Sequence, residues 1–191
     1  MVITLCNGKG GSGKTTISIV LAMALASAGK RVGVSDRDPQ GTATLWLRDL
    51  ENNKGGPVIA QPGEAYDVLI IDTPPRLEAP QVRDAIREAD RVILVSSPSP
   101  ADLWTTRKSA EVILSYLMKN RSARILFNQV QPGTLLSREL DTMVGKIGLP
   151  ALFNVVRRRQ CYQHAAVLGW PGLTVRAKEE VLMLAGEIAS L

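Results

Sequence analysis

The chain has 191 residues, 45% hydrophobic and 21% charged, a composition that excludes a disordered chain and suits one globular domain spanning 1–191. No apolar run reaches the roughly 18–20 residues that cross a bilayer, and the start of the chain lacks a charged lead with a cleavable apolar segment, so a cytoplasmic protein is expected. The net charge is +5, and two cysteines, Cys6 and Cys161, are too few for a disulfide scaffold or a metal cluster.

Short apolar runs alternate with helical patterns along the chain. Val2–Cys6 reads as a strand ending at a glycine-rich turn, with Cys6 as a small core residue. The segment 15–27 carries Ile17, Val20, Leu21, Ala24 and Leu25 at helical spacing, with Gly29 as a stop. A strand is expected over 31–35, a short helix over 42–50, and a connection over 52–63 that holds a short strand at 57–61. An uninterrupted apolar strand follows at 67–71. Helices are expected over 81–89, 101–118, 136–147 and 178–190, with strands at 92–95 and 124–127. Apolar strands without alternation, separated by helices, indicate an α/β fold: a mainly parallel central sheet with helices on both faces.

The segment Gly8-Lys9-Gly10-Gly11-Ser12-Gly13-Lys14-Thr15-Thr16 joins the first strand to the first helix. Gly8, Gly10 and Gly13 satisfy the dinucleotide pattern G-x-G-x-x-G, with Asp36 23 residues beyond Gly13, but the segment also satisfies G-x-x-x-x-G-K-[ST]. Lys14-Thr15 decides between them. A dinucleotide pyrophosphate is held by backbone amides and needs no lysine there. A nucleoside triphosphate brings more charge and a metal, so an ammonium at the phosphates and a hydroxyl for Mg²⁺ become useful. A nucleoside triphosphate with Mg²⁺ is the expected ligand. Asp72, at the end of the apolar strand, stands where a carboxylate approaches the magnesium shell.

Lys9 sits five residues before Lys14, and a plain phosphate loop has no need of it. With it, Lys9–Thr16 resembles the K-G-G-x-G-K-T-T pattern of the ParA/MinD family of deviant-Walker ATPases, P-loop NTPases with a three-layer sandwich. Asp36-Arg37-Asp38-Pro39-Gln40-Gly41 resembles the family's first switch and Asp72-Thr73-Pro74-Pro75 its second. Ser97-Pro98-Ser99-Pro100 with Asp102-Leu103-Trp104 is similar to the short ParA-type partition ATPases. The resemblance spans most of residues 1–105 and thins beyond. It implies an ATP-sandwiched homodimer in which Lys9 reaches the partner's phosphates. It also implies that Asp38 orients the attacking water while Asp36 supports the switch or the magnesium shell. Arg37 stands where a small or apolar residue is usual, and a pairing with one of the flanking acids is expected. Asn128 falls where relatives contact adenine, although an asparagine there also serves as a strand-end cap.

The excess charge is confined to 101–160, with 10 basic and 4 acidic residues. A solvated face or a polyanion site would each produce this. Arg157-Arg158-Arg159 resembles a basic segment near nonspecific DNA contacts in ParA relatives, and Lys146 among other cations would extend it. The resemblance thus implies nonspecific DNA binding, nucleoid association, a ParB-like adaptor, and plasmid or chromosome partition driven by slow, partner-stimulated hydrolysis. A positioning ATPase for another cargo, such as a carboxysome or chemoreceptor cluster, shares the same site chemistry. A biosynthetic ligase on this fold would need a substrate pocket. The end of the chain, with three glutamates around one lysine, reads as a closing helix with a core face and not as a membrane anchor. Trp104, Trp170 and Tyr162 are expected to be packing residues, and lone His164 has no metal partners.

Overall fold

A strand covered on both faces has no solvent side to leave polar, and the continuous apolar runs fold accordingly into inner strands. The computed structural model describes residues 1–50, 56–134 and 140–191. Its six strands are β1 (Val2–Cys6), β2 (Val32–Asp36), β3 (Val58–Ile59), β4 (Val68–Asp72), β5 (Arg91–Ser96) and β6 (Ser122–Phe127), all parallel in the order β3-β2-β4-β1-β5-β6. Register places Asp72 opposite both Leu5 of β1 and Asp36 of β2, so the functional strand ends are level.

Helices cover both faces. Against one lie α1 (Lys14–Ser27), α2 (Thr42–Asp49), α6 (Cys161–Leu168) and α7 (Val175–Ser190), packed on Ile3, Leu5, Ile93 and Val95. Against the other lie α3 (Pro80–Glu88), α4 (Pro100–Tyr116) and α5 (Leu140–Ile147), packed on Cys6, Val92, Leu94, Ile125 and Phe127. Consecutive residues of β5 thus feed opposite cores, the alternation that a two-faced strand requires. Helix α1 is buried from Ile17 to Leu25 because α7 closes over it with Val181, Leu184, Ala185 and Ile188.

The strand and helix expectations hold to within a few residues, although the helix expected over 136–147 begins partly outside the described residues. The sequence reading missed α6 and the pairing of 151–158 with β6. That segment runs beside β6 through bridges at Ile125–Ala151 and Val130–Arg157, with Val156 N donating to Phe127 O at 2.9 Å. Trp104 corrects an expectation: it is 75% exposed on α4, not packed.

The outer edge of 151–158 is held by α7. Phe153 N and Asn154 N donate to the Glu187 carboxylate at 2.6 and 2.9 Å, and Arg157 N donates to Glu180 at 3.0 Å. Unpaired edge amides template aggregation, and two helix carboxylates occupy these. Glu180 also accepts from Arg159 at 3.0 Å and from the Tyr162 hydroxyl at 2.7 Å; burial, and then the bond and charge of Glu180, push the Tyr162 pKa up. With its side chain 8% exposed, Glu180 has little water to fall back on. Glu180→Gln is expected to cost about 1.5 kcal/mol through weakened charge-assisted bonds. Calorimetric melting should then show Tm lowered by about 3–6 °C; an unchanged Tm would contradict the clamp.

Candidate nucleotide-binding site

The site sits where β1, β2 and β4 end. Asn7 begins the loop: its Nδ2 donates to Val95 O at 2.6 Å, and its Oδ1 accepts from Lys9 N at 3.0 Å. The turn then needs a left-handed backbone at Gly11 (φ 77°) and Gly13 (φ 86°). At Gly13 a second constraint applies, because a Cβ there would lie 2.4 Å from Asn128 Nδ2. Helix α1 starts at Lys14 with no side-chain cap and no acid in its first turn. Its first amides and positive dipole end are therefore suited to an anion.

Lys14 arches back so that Nζ donates to Lys9 O at 3.4 Å. It is 6% exposed, and burial pulls its pKa down against the opposing charge of Asp72. Lys9 is exposed at the mouth of the loop, beside Gly10 and Gly11. Ser12 is buried, and its hydroxyl has no hydrogen-bond partner among the described residues. Thr15 Oγ1 donates to Asp72 Oδ2 at 2.7 Å, and Ser18 Oγ donates to Oδ1 at 3.0 Å. Asp72 is completely buried; desolvation raises its pKa to about 6 despite those two hydrogen bonds. Ser18, three residues after Thr15 and so on the same helix face, was legible in principle but not singled out.

A divalent cation suits this donor set. Among the described residues no group of three or more His, Cys, Asp or Glu could hold a metal. Thr15 and Asp72 offer hard oxygens, and Mg²⁺ is ordinarily held by one or two such groups together with phosphate oxygens and water. Asp36 lies level with Asp72, but its carboxylate accepts from Asp38 N at 3.1 Å and Thr44 N at 2.9 Å, folding the first switch and starting α2. Asp38 is half-buried, accepts from Gln40 N at 3.0 Å, and lies near enough to raise the Lys14 pKa.

Arg37 departs from the expected pairing with Asp36 or Asp38. Its guanidinium forms a bidentate pair with Glu88 at the end of α3, at 3.2 and 2.5 Å, while its backbone N donates to Asp72 O at 2.9 Å. The flanking acids already accept backbone amides, which leaves the fork to reach across to Glu88. Asn128 is 5% exposed; its Nδ2 donates to Ser12 O at 2.8 Å and its Oδ1 accepts from Gln129 N at 2.8 Å. The arginine run divides: Arg158 is exposed, whereas Arg157 and Arg159 are tied to Glu180. Lys146 is exposed in the last turn of α5. No helix among the described residues is long and apolar enough to cross a membrane.

A family model described as the CobQ/CobB/MinD/ParA nucleotide binding domain matches residues 3–168. The chain is 33% identical to the maintenance of carboxysome distribution protein A of Halothiobacillus neapolitanus, over 87% of this chain and 84% of that protein. It is 31% identical to the protein of the same name from Gloeobacter kilaueensis, over 93% and 88%. An ATP complex of McdA from Cyanothece superposes with a TM-score of 0.78 at 15% identity, covering 100% of this chain and 96% of that one. The MinD–MinC complex from Aquifex aeolicus superposes with a TM-score of 0.79 at 18% identity, covering 100% and 96%. At that identity the two structures speak to the fold alone.

Proposed function

Because the chain belongs to the CobQ/CobB/MinD/ParA family of nucleotide-binding domains, we propose that it is a ParA-like positioning ATPase, distributing a cellular cargo other than a plasmid or chromosome. The observation that carries this reading is similarity along nearly the whole length of two carboxysome distribution proteins. The partition reading drawn from the motifs has thinner support. The Soj protein of Thermus thermophilus is 62% identical, but over 24% of this chain, a stretch long enough for shared nucleotide motifs and little else.

The chemistry is hydrolysis of ATP to ADP and phosphate by in-line attack of water on the γ-phosphate. Mg²⁺, held by Thr15 and Asp72, would supply charge neutralisation at the β- and γ-phosphates. Asp38, near Lys14 at the edge of the site, orients the water. Lys14 balances charge from within the loop. Lys9, exposed at the loop mouth, acts on the nucleotide of a second copy, so that dimerisation and ATP are linked. The dimer holds nonspecific DNA as its track through Arg158 and Lys146, with Arg157 reaching phosphates from its pair with Glu180. A small adaptor protein, occupying the role a ParB-like partner has in partition, stimulates hydrolysis and releases the dimer.

Deleting the gene in its native host separates the two cargo classes. Loss of even spacing of one protein assembly, with plasmid and chromosome inheritance unchanged, is expected. Failed inheritance with normally spaced assemblies would overturn the positioning reading in favour of partition. In solution, DNA retention on a nonhydrolysable ATP analogue should fall steeply between low and high salt. Salt-independent retention would argue against the DNA track.

A further inference from the structure

A side chain reaches the glycine-rich loop from 116 residues further along the chain. Asn128 follows β6, and its buried amide donates to Ser12 O at 2.8 Å. Gln129 adds a second bond, from Nε2 to Gly11 O at 3.3 Å. The geometry of the turn serves this pair. Gln129 adopts a left-handed backbone (φ 59°), and its N–H is held by Asn128 Oδ1 at 2.8 Å, which orients the carboxamide with the NH₂ end toward the loop. The fit at Gly13 is close: a Cβ there would lie 2.4 Å from Asn128 Nδ2, so only glycine lets this side chain sit where it does against the loop.

From this we infer that Asn128 and Gln129 are positioning residues that clamp the phosphate loop by its carbonyls and thereby aim its amides at a triphosphate. The inference rests on the nucleotide-site reading above. The physical link is the planarity of the peptide bond. In a trans peptide the C=O and the following N–H point in opposite directions. Drawing Gly11 O toward Gln129 turns the N–H of Ser12 away from β6, and drawing Ser12 O toward Asn128 does the same for the N–H of Gly13. A loop rich in glycine would otherwise sample many orientations, and each must be frozen when an anion binds. The clamp meets that entropy cost during folding, before the ligand arrives. It also gives Asn128 a task independent of the base, in contrast to the adenine contact that the family resemblance implies.

The test compares the wild-type chain with Asn128→Ala, Asn128→Asp and Gln129→Ala, measuring Kd for ATP and for inorganic tripolyphosphate, and amide hydrogen exchange over residues 10–13 without ligand. A clamp predicts that Asn128→Ala weakens both ligands by a common factor of about 5–10, the equivalent of one buried hydrogen bond, with faster exchange at Ser12 and Gly13. Asn128→Asp should be at least as severe, because it faces a carboxylate toward the Ser12 carbonyl. Gln129→Ala, lacking the longer and more exposed bond, should give the same pattern at about twofold. Should Asn128→Ala fail to fold, Gln129→Ala and its exchange rates carry the test, since that side chain is exposed. Weakening confined to ATP, with tripolyphosphate binding and loop exchange unchanged, would overturn the clamp in favour of a base contact. A wild-type chain that binds neither ligand would instead overturn the underlying site, and the clamp with it.

Discussion

Lys14→Ala should lower Mg-ATP hydrolysis by at least ~10²-fold, the scale on which one charge-stabilising group in a water-poor site acts. The reason is where the ammonium sits. It is 6% exposed, and burial disfavours its charge against the bond to the Lys9 carbonyl and the nearby charges of Asp72 and Asp38. A triphosphate supplies further counter-charge, and the interaction strengthens as charge develops on the transferring phosphoryl group. Lys9→Ala offers the contrast. Its side chain is exposed at the loop mouth, so nucleotide binding by the monomer should stay within about twofold, the scale of an exposed ion pair. ATP-dependent dimerisation and turnover should be lost. Calorimetric ATP titration and sedimentation velocity separate the two variants. A Lys9→Ala chain that dimerises and turns over normally would refute the role across the dimer.

Asp72→Asn should abolish Mg-dependent turnover by a similar factor while making the nucleotide-free protein more stable at pH 7.5. The carboxyl pKa rises from 3.8 to about 6 because the group is buried and has Asp36 nearby. The folded chain therefore binds this proton more tightly than the unfolded chain does. Stability from this group is full below pH ~4, declines as pH rises toward 6, and stays reduced above it. At about 1.4 kcal/mol per pKa unit, the ionised form carries a penalty of about 3 kcal/mol. Asparagine removes the penalty but also removes the counter-charge of Lys14, so we expect a net gain of about 1–2 kcal/mol and Tm higher by about 3–6 °C. The difference between variant and wild type should vanish below pH ~4, where both side chains are neutral. A Tm gain that persists unchanged at pH 3.5 would show that burial of the charge is not its cause.

The ion pair of Arg37 illustrates why the site was legible only in part. The two acids of the first switch, two residues apart, could be read as functional, and so could the arginine between them. Its partner could not. Glu88 lies 51 residues away at the end of a helix whose placement depends on the whole sheet. The same holds for Asn128, whose loop partner is remote, and for Arg157 and Arg159, which looked like a free basic run until α7 brought Glu180 beneath them. The exposure of Trp104 belongs here too: a tryptophan in a helix reads as core unless the facing surface is known to be absent.

What the chain determined by itself was everything with a short period. Apolar runs of four to six residues declared buried strands, the spacing of Ile17, Val20, Leu21 and Ala24 declared α1, and the order of glycines, Lys14 and Thr15 declared a phosphate loop. Each is a property of neighbouring residues, set by backbone geometry that repeats every two or every 3.6 positions. Tertiary structure alone decided which carboxylates pair with which cations, which amide clamps the loop, and how much of the +5 is free to meet a polyanion. These are contacts between segments dozens of residues apart, where sequence spacing carries no distance and only the packed sheet brings the groups within hydrogen-bonding reach.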